Sequence, residues 1–592
     1  MTNRKSLASL AVVMSVILSA CATAAPTPAP APAEQKPTDA PKATEAPAAT
    51  EAPKPTEAPK ADAAKPTEAP KADAGAMSAD SLMAPDCNYG GEIKSIEAVD
   101  KLTVKFSLCA SDPAFPQKVT GSSFGIMDKD NIAETKGDAK TISEKPVGTG
   151  PYILKEWKRG DSVTLEANPN YWQGQSKNKQ LVIRWSKEAA QSLLELQSGN
   201  VDGIEKVATE DFDTVGKDSK LKLVPIPPLN SLYVGMNVNK APFDNEKVRQ
   251  AFAMAVDRKK IVDEYYPAGS QVAQNWAPDS FVPGFSPSVQ WYEHDPEGAK
   301  KLLTEAGFDF NQEIPLSYRE AVRVYLPAPG KVAQEVQAQL AEIGVKIRLE
   351  PKESGTFLKS ASGGNETFML LGWGADYPDA TNFYDTHFGA AVKTFGKPFD
   401  DIIEQLKIGA TNSDKDKRQA AYDKLNALIK QHAPMIPVAH GVAAQAFLAE
   451  VEGAHANPLT PNEYWRMKGP KDTFVYMQSA EPITLDCADE TDGETFNVCG
   501  QIFETLLSFK PGTIELVPAL AESFTANENA TEFTFKLRSG VKFSNGAELA
   551  ADDVVATFAR GMDATNPAHK GDDGSFQYFK DYFGPTLINE KK

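Results

Sequence analysis

An α/β fold is what this sequence predicts, and three observations carry the prediction. Between residues 230 and 431, short apolar or alternating runs of strand type are interleaved with runs whose apolar residues recur every three to four positions. That is the pattern of strands alternating with amphipathic helices. Strand patterns also flank this block, at residues 102–108 (LTVKFSL) before it and at 473–478 and 533–538 after it. Composition is that of globular material, with 41% hydrophobic and 24% charged residues. The length suits roughly three or four domains.

The start of the chain differs. Arg4 and Lys5 precede an apolar run from Leu7 to Leu18, too short for a comfortable membrane span and suited to a secretory signal. The run ends in Leu18-Ser19-Ala20-Cys21, which resembles the lipobox of bacterial lipoproteins. That resemblance implies a signal peptide over residues 1–20, cleavage before Cys21 and lipidation of Cys21. The expected location is extracytoplasmic, lipid-anchored to the cell membrane. Over residues 21–80 the composition collapses to little beyond Ala, Pro, Thr, Lys, Glu and Asp, and the decapeptide KPTEAPKADA begins at Lys54 and again at Lys65. Up to about Ala76 no large apolar residue offsets the entropy of ordering, so the segment is expected to be a disordered tether, reaching on the order of 40 Å as a coil.

A formal net charge of −18 argues against nucleic acid and anionic membrane surfaces as partners and agrees with cationic or zwitterionic ligands. After Cys21, four cysteines remain: Cys87, Cys109, Cys487 and Cys499. An even number in an oxidising compartment predicts two disulfides; three pairings are possible, the simplest being Cys87 with Cys109 and Cys487 with Cys499. Their spacing does not suit zinc. The six histidines form no HExxH or other tight ligand pair, and His432 and His440, flanking a strand, read as structural. No metal and no cofactor are expected.

In chain order, residues 145–172 read as a glycine-rich turn, a strand, the Arg159-Gly160-Asp161 turn and a second strand. Gly148-Thr149-Gly150 is followed by neither a Lys-Ser/Thr pair nor a helix, so it is no phosphate loop. Residues 187–198 form a short amphipathic helix, and 230–239 a strand. Pro242-Phe243-Asp244 introduces a helix with Val248, Ala251, Phe252 and Ala255 on one face. Asp295 caps the next, Pro296 opens it and Gly307 stops it. A helix over 331–343, strands over 345–349 and 367–371, a helix over 415–431, a strand over 436–440 and a helix over 552–562 follow.

The stretch that invites a ligand is LLGWGADYPDATNFYD, residues 370–385. A buried strand stops at Gly372-Trp373-Gly374, leaving the indole face uncovered by its neighbours. Asp376 stands where a strand end meets a loop, a usual place for ligand contacts in α/β folds. A ring face and a carboxylate would suit an ammonium group. Without further context, a core Trp373 and a turn-capping Asp376 account for the same residues.

Four blocks together resemble the extracytoplasmic solute-binding proteins, family 5, of peptide ABC importers, which include dipeptide-, oligopeptide- and nickel-binding members. They are PVGTGPYILKEWKRGDSVTLEANPNYW, APFDNEKVRQAFAMAVDRKKIV, DPEGAKKLLTEAGF and LRSGVKFSNGAELAADDVVATF. The resemblance covers nearly all of the chain beyond the tether. It departs in order: the block that opens the mature protein in that family lies here at 473–538, after everything else. DYFGPTLINEKK would be continued naturally by GEIKSIEAVD at Gly91, so the chain order looks circularly permuted.

The resemblance implies a two-lobed periplasmic-binding-protein clamshell of type II, the large peptide-binding class. One lobe would come from residues 87–232 and 438–592, the other from 233–437, with Lys592 near Gly91. It implies a monomer that binds a small peptide in the interlobe cleft and delivers it to ABC transporter permease subunits. Asp376 would pair with the peptide α-ammonium. Arg323, in Arg323-Val324-Tyr325-Leu326-Pro327, would pair with the carboxylate, with Arg319 as competitor. The Thr491-Asp492-Gly493 turn aligns with a ligand-facing loop, and Tyr377 and Asn382 are cleft candidates by nearness to Asp376. An oligosaccharide or another non-peptide solute, including chelated nickel, is the alternative ligand. An extracytoplasmic hydrolase is the alternative class, although no GxSxG elbow is present.

Overall fold

The computed structural model describes residues 81–590. The predicted signal peptide, the lipidation at Cys21, the tether and Lys592 lie outside the described residues.

The middle of the chain builds a six-stranded mixed sheet, in the order Gln271–Val272, Met435–His440, Asn230–Met236, Phe368–Gly374, Glu313–Arg319, Lys346–Lys352. The last three strands run parallel to one another, and Phe368–Gly374 lies antiparallel to Asn230–Met236. Covered on both faces by helices, the central strands are apolar without alternation, and every residue of Asn230–Met236 is buried.

Helix Glu246–Ala255 turns Val248, Ala251, Phe252 and Ala255 into this core, the face its spacing predicted, and the Asn245 side chain accepts from Lys247 N to cap it. Helix Pro296–Glu305 opens on the Asp295 side chain, which accepts from Gly298 N at 2.8 Å. Gly307 leaves it with φ +73°, a conformation that favours glycine. Helix Pro329–Glu342 begins two residues before the predicted start, because its two leading positions, Pro329 and Gly330, break the periodic pattern without preventing a first turn.

Both chain ends share the other two large sheets. A seven-stranded sheet runs Tyr152–Lys158, Ser162–Ala167, Gln180–Trp185, Thr473–Gln478, Gly203–Ile204, Ala443–Leu448, Leu221–Ile226. A five-stranded sheet runs Ser81–Met83, Ile93–Asp100, Thr103–Leu108, Glu532–Leu537, Ala521–Ala526. Thr473–Gln478 is parallel to Gln180–Trp185, and Glu532–Leu537 antiparallel to Thr103–Leu108, so late strands complete early sheets. The result is a two-lobed α/β molecule: one lobe from the continuous middle, one from the two flanks.

The chain passes between the lobes at residues 227–229 and 441–442, and one side chain ties these crossings together. Asn230 donates through Nδ2 to Gly441 O at 2.7 Å and accepts at Oδ1 from Gly441 N at 2.9 Å. His440 Nδ1 lies 2.8 Å from Asn230 O. Burial pushes His440 down to about 4, so the ring is neutral and its proton sits on the nitrogen facing that carbonyl.

Cys87 is bonded to Cys109 and Cys487 to Cys499. Near the C-terminus, Glu92 N donates to Phe583 O at 2.6 Å, so residues 583–587 pack directly on residues 90–92. Helix Ala551–Met562 is fixed by a fully buried ion pair: Arg560 holds both carboxylate oxygens of Asp486, with Nη1 to Oδ1 at 2.8 Å, and gives Nε to Ala568 O. Removing one partner of such a pair leaves a buried charge alone. Arg560→Met is therefore expected to cost about 3–5 kcal/mol in chemical denaturation.

Candidate functional site

Strand Phe368–Gly374 ends at the gap between the lobes. Ala375 N donates to Leu229 O at 2.8 Å, which turns the chain against the first crossing and places Asp376 beside the other lobe. There the two lobes enclose a cavity of about 310 Å³. Ala375 and Asp376 enter it from the middle lobe. Glu205, Tyr476, Gly493, Asn497, Tyr578 and Tyr582 are among those facing them from the flanking lobe.

Asn382, nearly inaccessible at 3% exposure, is the bracket that holds Asp376. Its Oδ1 accepts from Asp376 N and from Trp373 Nε1, each at 3.0 Å, and its Nδ2 donates to Asp376 Oδ2 at 3.1 Å. Asp376 Oδ1 makes no hydrogen bond among the described residues. From across the gap, Tyr582 OH donates to Asp376 O at 3.0 Å. Burial pushes the Asp376 carboxyl up to about 6, with the charge of Asp581 adding to the rise and the Asn382 bond opposing it. The arrangement is a rigid, desolvated acid with one free oxygen and no cation to neutralise it, suited to binding an ammonium group.

The other predicted residues take different places. Trp373 does not line the cavity: its Nε1 is spent on Asn382, and its ring packs edge-on against His387 with centroids 5.3 Å apart. It positions the acid from behind. Tyr377 is buried, with its ring 5.2 Å from that of Tyr582 and beneath Lys118, and it joins the core of the opposite lobe instead of lining the cavity.

Arg323 is exposed and away from the cavity. A tight turn, in which Arg323 N donates to Leu326 O and Leu326 N to Arg323 O, is anchored by buried Tyr325 and Leu326 and turns the guanidinium outward. Arg319 is no substitute, being buried and committed to Ser354 Oγ at 3.0 Å and Tyr325 OH. In the Thr491-Asp492-Gly493 turn, Thr491 is exposed and the Asp492 side chain caps helix Gly493–Ile502 through Thr495 N. Only Gly493 lines the cavity, with open space where a Cβ would stand.

Sequence reasoning missed Glu205, Tyr476, Tyr578 and Tyr582. The tyrosines of helix Gln577–Phe583 carry a weak signal, an i, i+4 pair beside Asp581; Glu205 and Tyr476 carry none. Among the described residues no group of His, Cys, Asp and Glu is arranged to hold a metal, and no helix is long and apolar enough to cross a membrane.

The family described as "Bacterial extracellular solute-binding proteins, family 5 Middle" matches residues 52–395 and 515–581. Heme-binding protein A of Haemophilus influenzae is 31% identical over 377 residues, covering 62% of this chain and 68% of that protein. The dipeptide-binding protein of Escherichia coli is 28% identical over 382 residues, covering 63% and 71%. Among solved structures, HbpA2 of Haemophilus parasuis superposes with a TM-score of 0.59 at 30% identity, covering 64% of this chain and 75% of that one. A dipeptide-binding protein of a Pseudoalteromonas species in complex with Met-Leu gives 0.54 at 27%, covering 64% and 76%.

The bracket makes a prediction of its own. Asn382→Leu removes the bond that favours the ionised acid, so the Asp376 carboxyl should titrate higher than in the parent, as read by carboxyl-carbon NMR across an acid titration.

Proposed function

The chain belongs to the bacterial extracellular solute-binding proteins of family 5, and on that premise we propose that it captures di- and oligopeptides between its lobes and delivers them to the permease of an ABC importer. As a member of that family it is a binding protein of transport and not an enzyme. The single observation that carries the peptide reading is Asp376, a bracketed acid with one unoccupied oxygen at the interlobe cavity. A peptide α-ammonium supplies the missing counter-charge through a charge-assisted hydrogen bond. Sugars, the other ligand class to weigh, bring no positive charge to it. Closure follows if the ligand binds the closed state better than the open one.

A lipid anchor on Cys21 and a tether through residue 80 would keep a monomer at the outer face of the membrane within reach of the permease. The chain order would be permuted. The packing of residues 583–587 on residues 90–92 supports that reading, since a chain joined there would need no rearrangement of either sheet.

Asp376→Asn should weaken peptides with a free amino terminus by about 10- to 100-fold in calorimetric titration, the size of one hydrogen bond to a charged group. N-acetylation of the peptide should do the same to the parent protein. If both changes leave affinity intact, the ammonium assignment is wrong.

The raised carboxyl also fixes a pH dependence. Only the ionised acid binds an ammonium, so affinity should be full above about 6 and fall as pH drops through that value. The limit is about tenfold per pH unit. Titrations in the Asp376→Asn background should lose this acid limb.

A further inference from the structure

The charge of the cavity wall narrows the ligand class further. Among the described residues lining it, the charged side chains are Asp376 from the middle lobe and Glu205 from the flanking lobe; no Lys, Arg or His lines it. A ligand carboxylate therefore finds no side-chain counter-charge, whereas a second ligand cation finds an acid.

Glu205 is built for that role. It follows the short strand Gly203–Ile204, and its Oε2 accepts from Ser479 N at 2.7 Å and Ser479 Oγ at 2.6 Å. Its Oε1 makes no hydrogen bond among the described residues. The surroundings are under-neutralised: burial, with the charges of Glu205 and Asp492, pushes the nearby Glu494 carboxyl up.

A second observation points to a ligand at the same place. Tyr476, paired with Gly203 on the adjoining strand, is 1% exposed and lines the cavity, yet its buried hydroxyl has no hydrogen-bond partner. Neighbouring Tyr464 gives its own proton to Asn497 Oδ1 at 3.0 Å. An orphaned buried hydroxyl is costly, a cost relieved by a polar ligand group.

We infer that Glu205 and Tyr476 form a second subsite for a cationic side chain, so that the cavity selects peptides bearing lysine or arginine over neutral and acidic ones. This rests on the peptide reading above, with Asp376 taking the amino terminus and Glu205 the basic side chain.

The test measures binding of Ala-Lys-Ala, Ala-Ala-Ala, Ala-Glu-Ala and the non-peptide cation spermidine to the full chain, by native mass spectrometry and calorimetry. Ala-Lys-Ala should bind about tenfold tighter than Ala-Ala-Ala, with Ala-Glu-Ala weakest. Glu205→Gln should bring the first two within about twofold of each other, and Glu205→Asp, which keeps the charge, should retain the order. Thermal melting checks that each variant folds; if Glu205→Gln does not, Tyr476→Phe carries the test, and should narrow the preference. Equal binding of the three peptides, or a preference unchanged in the variants, overturns the subsite and leaves the peptide reading standing. Spermidine binding that depends on Glu205, with no peptide bound, supports the subsite and overturns the peptide reading. Binding of none of the four overturns both.

Discussion

Two crossings of the chain join the lobes, and the Asn230 amide that bonds Gly441 in both directions makes them one joint. A single side chain thereby satisfies a donor and an acceptor at a point where the sheets end and backbone groups would otherwise be unpaired. The consequence reaches the site directly. Asn230 is the register partner of Gly374, and Leu229 O accepts from Ala375 N, so the joint and the acid at 376 hang on the same few peptide groups. The joint between the lobes therefore lies directly beside Asp376.

Some acids of this molecule are paired with a cation and others are not. Asp486 is gripped by Arg560, Asp379 by Arg418 at 2.7 Å, and Asp112 by Lys118 at 2.6 Å, each pair largely buried. Such pairs hold segments in register at a desolvation cost that the partner offsets. Asp376 and Glu205 have hydrogen-bond donors but no cation. A carboxylate held only by neutral donors stays attractive to a positive charge, and here two of them line one cavity from its two sides.

How much of this was legible beforehand follows from what each feature depends on. The helix at Glu246–Ala255, the Asp295 cap and the strand into Gly374 depend on local periodicity and turn chemistry, and were readable. Asp376 was readable because a strand end followed by an acid is a local pattern, and Asn382 by nearness, though its part as a bracket was not. Arg323 misled because its motif says nothing of the turn that points it outward, and Trp373 because the indole nitrogen's partner comes nine residues later, from the next helix. Glu205 and Tyr476 were invisible for a stronger reason: they meet only because Gly203–Ile204 pairs with Thr473–Gln478, strands far apart in the chain.

That pairing also bears on how a ligand could close the molecule. A ligand shifts the balance between open and closed forms only by its difference in affinity for them, so contacts confined to one lobe shift nothing. Asp376 belongs to the middle lobe and Glu205 to the flanking one. A ligand with a single cation at Asp376 gains from closure only through its neutral contacts, such as those with Tyr578 and Tyr582. A ligand with two cations, one for each acid, gains its second ion pair only when the lobes approach. Without it, approach brings two uncompensated carboxylates nearer to each other. The same two charges that would favour closure around a basic peptide would oppose closure around nothing.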